Sequence, residues 1–118
     1  MKRDISLYLA DILENIDDTK QFISGLSFEK FSSNKLVANA VVRSIEVIGE
    51  AAKHVPENIR AMQPTVPWKD MAGMRDKCIH DYVGIDYEVV WTAIVDELPK
   101  IRPHLQALLE ELRKTDRK

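Results

Sequence analysis

The chain has 118 residues and a formal net charge of −2, and 45% of its residues are hydrophobic. This length fits one domain, and the composition is too apolar for a disordered chain. The acidic balance argues against broad electrostatic binding to DNA or other nucleic acid, although a small basic pocket for one phosphate remains compatible with it.

The only cysteine is Cys78, so no disulfide can form within the chain. The longest stretches without Lys, Arg, Asp or Glu, residues 21–28 and 61–68, contain eight residues each and are too short to span a bilayer. Asp4 and Asp11 would interrupt the apolar core of any signal peptide. We therefore predict a cytoplasmic protein that does not interact with membranes.

Helical periodicity begins at the N-terminus. Residues 4–24 form a first predicted helix, with Gly25 as its C-terminal cap. Its apolar stripe consists of Ile5, Leu9, Ile12, Leu13, Ile16 and Ile23. A short turn or helix is predicted to follow around Phe28–Phe31.

The second predicted helix spans about Lys35–His54, with Asn34 as its N-cap. Its apolar surface is wide, which predicts contacts both with the core and with a second copy of the chain. Gly49 lies in its middle, where glycine costs about 1 kcal/mol relative to alanine. We therefore expect another part of the chain to pack closely against this position.

The remaining elements are also predicted to be helical. A short segment, Glu57–Gln63, precedes a third helix that begins at Pro67 and ends at Gly84. Asp86 caps a fourth helix, which Pro99 kinks or restarts. Together these elements predict an all-α fold, an up-and-down bundle of four to five helices. We expect one domain at residues 1–112, followed by a charged tail at 113–118.

Several chemistries lack the residues that they need. The chain has no glycine-rich nucleotide loop, and its few histidines and single cysteine are too scattered for a zinc site. Glu46 and Glu50 share a helical face that could in principle hold a metal ion. Because Arg43 and Lys53 flank them, we interpret this pair as a salt-bridged surface, and we predict neither a metal nor a cofactor.

Reactive side chains concentrate in residues 73–84, near the end of the third predicted helix. On a helix, Arg75 and Tyr82 would lie two turns apart on one face. Asp76 and His80 would be i and i+4, so the carboxylate would orient the imidazole and favour its charged form. Arg75 can hold a phosphate through two hydrogen bonds, and His80 can transfer a proton near neutral pH.

These two groups suffice for RNA cleavage by the ribose 2′-hydroxyl, a reaction that needs no metal. One histidine cannot act as base and acid in the same step, so this chemistry predicts a homodimer with a shared cleft. The alternative is structural. A histidine at a helix end gains from the helix dipole, and Arg75 and Tyr82 could simply cover apolar surface.

The sequence resembles the HEPN superfamily, specifically the HepT-type toxin of the MNT–HEPN toxin–antitoxin pair. The similarity runs through residues 40–52, then Pro67-Trp68, Gly73-Met74-Arg75 and Glu97-Leu98-Pro99. The family signature is Arg, four residues, His, one residue, Tyr. These positions are Arg75, His80 and Tyr82 in this chain.

The resemblance implies a dimeric, HEPN-like helical bundle with metal-independent endoribonuclease activity. Arg75 would bind the scissile phosphate, and His80 would be the general acid or base. It also implies a type VII-like partner, a nucleotidyltransferase antitoxin of the MNT type that transfers AMP from ATP to Tyr82. The added anion would repel RNA from the site.

Asp76 departs from the family pattern, because many HEPN ribonucleases have a neutral polar residue, often Asn, after the arginine. A carboxylate here would repel the RNA phosphate and would favour an imidazolium acting as general acid. A second hypothesis is therefore a non-catalytic helical subunit that docks a nucleotidyltransferase and supplies or binds its substrate. A plain dimeric scaffold is a third.

Overall fold

The computed structural model describes residues 3–80 and 82–116. In chain order they form α1 (Ile5–Phe22), α2 (Phe28–Ser33), α3 (Lys35–Lys53), α4 (Glu57–Arg60), α5 (Trp68–Ala72), α6 (Met74–Cys78), β1 (Ile79–His80), β2 (Gly84–Ile85), α7 (Tyr87–Thr92), a π-helical turn (Ala93–Glu97) and α8 (Leu98–Asp116). The predicted all-α class is confirmed, with one small antiparallel sheet added. Among these residues, no helix combines the length and apolar character needed to cross a membrane.

One hydrophobic core holds the long helices together. α3 packs against α1, α5 and α6, and α1 also packs against α8. Burial of large apolar side chains is the main stabilising contribution here. The largest completely enclosed side chains are Phe31, Leu9, Ile12, Ile45, Ile48, Met71, Leu98, Leu105, Leu108, Val41, Val55 and Val90.

Side-chain caps set where the N-terminal helices begin. The Ser6 N–H donates to Asp4 Oδ1 over 2.9 Å at the start of α1. The Val37 N–H donates to Asn34 Oδ1 over 3.1 Å, which confirms the predicted N-cap of α3. Each carboxylate or amide oxygen satisfies a backbone donor that the first helical turn leaves unpaired.

Gly49 is the point of close approach between α3 and α5, as its position in the helix predicts. A Cβ atom there would lie 3.3 Å from the Met71 carbonyl oxygen and 3.5 Å from that of Ala72. Only a glycine lets the two backbones come this near without a shift. The contact places α5, and α6 after it, against the middle of α3.

The prediction of one helix from Pro67 to Gly84 is wrong. Gly73 separates α5 from α6, and the backbone becomes extended at Ile79, with φ −127° and ψ 122°. β1 then pairs with β2 in the register Ile79 to Ile85 and His80 to Gly84. Glycine weakens helices and β-branched side chains favour extended backbone, so the local sequence opposes a continuous helix.

The helical run restarts next to Pro99, as predicted, because the π-helical turn ends at Glu97 and α8 begins at Leu98. The helical turn just before Pro99 widens into the π-helical turn, where the Leu98 N–H donates to the Ala93 carbonyl oxygen. A wider turn accommodates a proline ring that would otherwise press on the carbonyl four residues earlier. α8 then continues into the charged segment as far as Asp116, while residues 117–118 lie outside the described part.

An aromatic cluster and an ion pair connect the later helices to the earlier ones. The Phe31 ring of α2 meets Tyr87 and Trp91, with ring centroids 5.9 and 5.3 Å apart. Arg102 donates two hydrogen bonds of 2.7 and 2.8 Å to the Asp17 carboxylate, joining α8 to α1. This guanidinium lowers the pKa of Asp17 below its usual range.

Candidate active site

A short hairpin, residues 79–85, presents His80 and Tyr82, and the helix before it, α6, carries Arg75. The base of the hairpin is tied to the core, because the Asp86 N–H donates to the Cys78 carbonyl oxygen over 2.7 Å. Cys78 itself is fully buried, as predicted. Burial, together with the nearby Asp86 and Glu97 carboxylates, raises the pKa of its thiol to about 11. Cys78 is therefore an anchor and not a nucleophile.

Arg75 lies on α6 with 47% of its side chain exposed. Its Nε is 3.6 Å from Glu46 Oε2 on α3, and its Nη1 is 3.6 Å from Asp76 Oδ1. These separations are those of ion pairs and exceed hydrogen-bond length. The guanidinium thus keeps donors free for an incoming phosphate while two carboxylates partly balance its charge.

Glu46 forms an ion pair with Arg75, whereas the sequence predicted a different partner for it. We expected Glu46 and Glu50 to pair with Arg43 and Lys53. Glu50 does lie 3.8 Å from Lys53, but Glu46 reaches Arg75 instead. The sequence feature that indicates this pairing is Gly49. It lies one helical turn after Glu46 and marks the face of α3 where α5 and α6 approach.

His80 is the last residue of β1, and 52% of its side chain is exposed. Its Nε2 lies 3.8 Å from Asp86 Oδ2. The prediction that Asp76 orients His80 is wrong, because the helix ends at Cys78 and the i, i+4 spacing no longer brings the two together. Asp76 is 86% exposed and contacts Arg75.

A surface depression borders His80 on the side of α2 and α7. Asp86 caps α7, as predicted, by accepting the Val89 N–H at Oδ1 over 3.3 Å. The same carboxylate faces the imidazole from the wall of the depression. The lining residues are Phe28, Ser32, His80, Val83, Ile85, Asp86, Tyr87 and Glu88.

Tyr82 lies at the tip of the hairpin with φ 61°, a left-handed conformation that is unusual for a tyrosine. Its side chain is fully exposed. It therefore does not share a helical face with Arg75, and that prediction is wrong for the same reason as above. Its neighbour Asp81 lies outside the described residues. The Tyr82 phenol is open to solvent.

Within one chain, Arg75 and His80 face different neighbours. Arg75 lies beside α3 through Glu46, and His80 lies beside the cap of α7 through Asp86. Neither side chain is buried in the core. A guanidinium can bind a phosphate, and an imidazole can transfer a proton. Within residues 3–80 and 82–116, no three His, Cys, Asp or Glu side chains gather where they could hold a metal ion.

Comparison with known protein families matches the chain to a family of ribonucleases. The sequence profile described as "Ribonuclease HepT-like" matches residues 12–108. The matched region contains Glu46, Arg75, His80, Tyr82 and Asp86. It therefore includes both the predicted signature and the two carboxylates that the structure adds.

Curated relatives align along nearly the whole chain. "Putative RNase MJ1216" of Methanocaldococcus jannaschii is 44% identical over 98% of this chain and 95% of its own length. "Putative RNase MJ0125" of the same organism is 44% identical over 94% and 96%. "Probable ribonuclease HepT" of Thermococcus cleftensis is 40% identical over 92% and 98%. No solved structure matches the chain.

Proposed function

Since the chain belongs to the ribonuclease HepT-like family, we propose that it is an endoribonuclease that acts through Arg75 and His80. The observation that carries the proposal is the placement of these two side chains. Both lie within the matched region, and both are about half exposed, next to ion-pair partners that leave them accessible. A guanidinium and an imidazole at a surface can bind and cleave a phosphodiester.

The reaction follows from these two groups. Arg75 binds the scissile phosphate and balances the charge that develops on its oxygens. The ribose 2′-oxygen attacks phosphorus after losing its proton to a base, and the bond to the 5′-oxygen breaks as an acid protonates that oxygen. The nucleophile belongs to the RNA, so no metal is needed to generate it.

Base and acid must be separate groups in one step, so we propose that two copies of His80 from a homodimer supply them. α3 supports this arrangement because its apolar side chains extend beyond the core, with Leu36 82% exposed. Sedimentation should give a dimer at micromolar concentration. A stable monomer would contradict the shared cleft.

Regulation is proposed at Tyr82. A nucleotidyltransferase antitoxin would join the α-phosphate of ATP to Tyr82 Oη, with loss of the phenolic proton and release of pyrophosphate. Full exposure of the phenol, two residues from His80, supports this. The new phosphodiester is anionic and would repel RNA from the site. We place the protein in the cytoplasm, where ATP and RNA are available and where a free thiol such as Cys78 stays reduced.

The decisive experiment compares cleavage of RNA in the presence of a chelator. Purified, unmodified protein should cleave, and Arg75→Ala and His80→Gln should each slow cleavage by roughly 10²- to 10⁴-fold. His104→Gln is the matched control, because His104 is an exposed histidine on α8. Equal cleavage by all four proteins would overturn the proposal.

A second candidate function is a non-catalytic subunit that docks a nucleotidyltransferase. It is favoured by Asp76, whose carboxylate lies 3.6 Å from Arg75 and would oppose RNA binding. On this hypothesis, growth arrest persists in the His80→Gln protein. Intact mass after co-expression with a nucleotidyltransferase of the MNT type should show added AMP, which Tyr82→Phe removes. Such added AMP would support both the nuclease and the docking subunit, and it would exclude the plain scaffold.

A further inference from the structure

We propose that Asp86 is the positioning residue for His80, holding the imidazole through Nε2 so that Nδ1 is the nitrogen that meets RNA. The inference rests on the proposed ribonuclease function. It adds a residue that lies outside the Arg75, His80 and Tyr82 signature. It also replaces Asp76, the carboxylate that the sequence predicted for this role.

Two hydrogen bonds fix Asp86 in place, one through its backbone and one through its carboxylate. Its backbone N–H donates to the Cys78 carbonyl oxygen over 2.7 Å, next to a fully buried side chain. Its Oδ1 accepts the Val89 N–H over 3.3 Å at the start of α7. With backbone and Oδ1 both held, the direction of Oδ2 is determined before any substrate binds.

Oδ2 is the carboxylate oxygen that faces the imidazole, 3.8 Å from His80 Nε2. The distance is that of an ion pair, and catalytic contacts of this kind commonly tighten when substrate binds. Among the residues described, Asp86 is the acidic residue within 4 Å of that nitrogen. Glu88 lines the same depression but is exposed to solvent.

A carboxylate accepts hydrogen bonds and cannot donate them, so it selects one form of the imidazole. The neutral ring carries its proton on Nε2, toward Asp86, and its lone pair on Nδ1. Nδ1 then accepts the 2′-hydroxyl proton in one copy. In the other copy, the charged ring donates the Nδ1 proton to the leaving oxygen.

The test is Asp86→Asn, because asparagine caps helices as well as aspartate does. Its Oδ1 keeps the Val89 N–H, which leaves its NH₂ group facing His80 Nε2. That donor favours a lone pair on Nε2 and a proton on Nδ1, the opposite tautomer. We expect kcat to fall roughly 10- to 100-fold with KM nearly unchanged, less than the loss for His80→Gln.

The second readout is the tautomer itself, observed by ¹⁵N NMR of the imidazole nitrogens in the free protein at pH about 9, where an ordinary imidazole is neutral. His80→Gln identifies the signals among the three histidines of the chain. Wild type should show the proton on Nε2, and Asp86→Asn should show it on Nδ1. Glu110→Gln removes one carboxylate charge from the exposed surface of α8, away from the depression, and should keep both the wild-type tautomer and the wild-type kcat.

Asp86→Ser provides a second variant, because serine also caps α7 but has no second oxygen to face His80. It should lower kcat as the asparagine variant does. If His80→Gln abolishes cleavage while both Asp86 variants keep the wild-type kcat and tautomer, the inference fails and the ribonuclease proposal stands. If His80→Gln cleaves normally, the proposed function fails, and the tautomer still reports whether Asp86 holds the ring.

Discussion

The paired helices α1 and α3 and the hairpin of residues 79–85 are stabilised in different ways. The helices enclose Leu9 and Ile48 completely, whereas the hairpin exposes Tyr82 and Val83 almost entirely. Burial stabilises the first region, and a few backbone and carboxylate contacts hold the second. His80 and Tyr82 thus lie on a segment that adds little to the core, and substitutions in the two regions should have separable effects.

The largest expected effect is on the stability of the helical region. Leu9→Ala removes a completely buried side chain from α1 and should lower the free energy of unfolding by about 2–5 kcal/mol. Leu7→Ala is the matched control on the same helix, where the side chain is already 45% exposed, and should cost less than half as much. Urea unfolding measures both. Equal losses would mean that the α1 face is not buried as described.

The next effect concerns Cys78, which joins the two regions. Burial raises the pKa of its thiol from 9.0 to about 11, so the unfolded chain ionises first as pH rises. The stability that depends on a neutral, buried Cys78 thiol is fully present below pH about 9. It is lost as pH rises from about 9 to 11. From pH about 8 to 10, wild type should lose about 1–2 kcal/mol relative to Cys78→Ala. Parallel curves for the two proteins would show that the thiol is not shielded.

The smallest effect on stability should come from the hairpin. Gly84 has φ +96° with open space around it, so Gly84→Ala strains only the backbone and should cost about 1 kcal/mol. Because Gly84 pairs with His80, cleavage should fall about 10-fold or more.

Gly25→Ala is the control, at φ +77° and also in open space after α1. It should cost similar stability in thermal unfolding and leave cleavage unchanged. Loss of cleavage in both variants would mean that hairpin geometry has no special role in activity.

The regular helices were predictable because their signals are local. The apolar stripe of α1, the Asn34 cap and the close contact at Gly49 each follow from residue type and spacing. Asp86 as the cap of α7 was predicted for the same reason. The stripe and the caps depend on neighbours within one or two helical turns, and a glycine in mid-helix indicates a close approach because it is otherwise unfavourable there.

The site geometry was less predictable, because it depends on contacts between elements. Periodicity favoured a helix through Tyr82, but Gly73 and the extended residue Ile79 end it early. The partners of Arg75 and His80 are Glu46 and Asp86, which are distant in sequence or lie beyond the hairpin turn. A one-dimensional pattern points to candidate reactive residues but not to the carboxylates that fold next to them.

The enclosure of Cys78 has a practical use for following this protein in solution. A thiol of such high pKa reacts slowly with maleimide dyes at neutral pH. Tyr82→Cys would therefore provide one selectively labelled position at the exposed tip of the hairpin. A fluorophore attached there would report the approach of a large molecule from outside while the packed interior stays unlabelled.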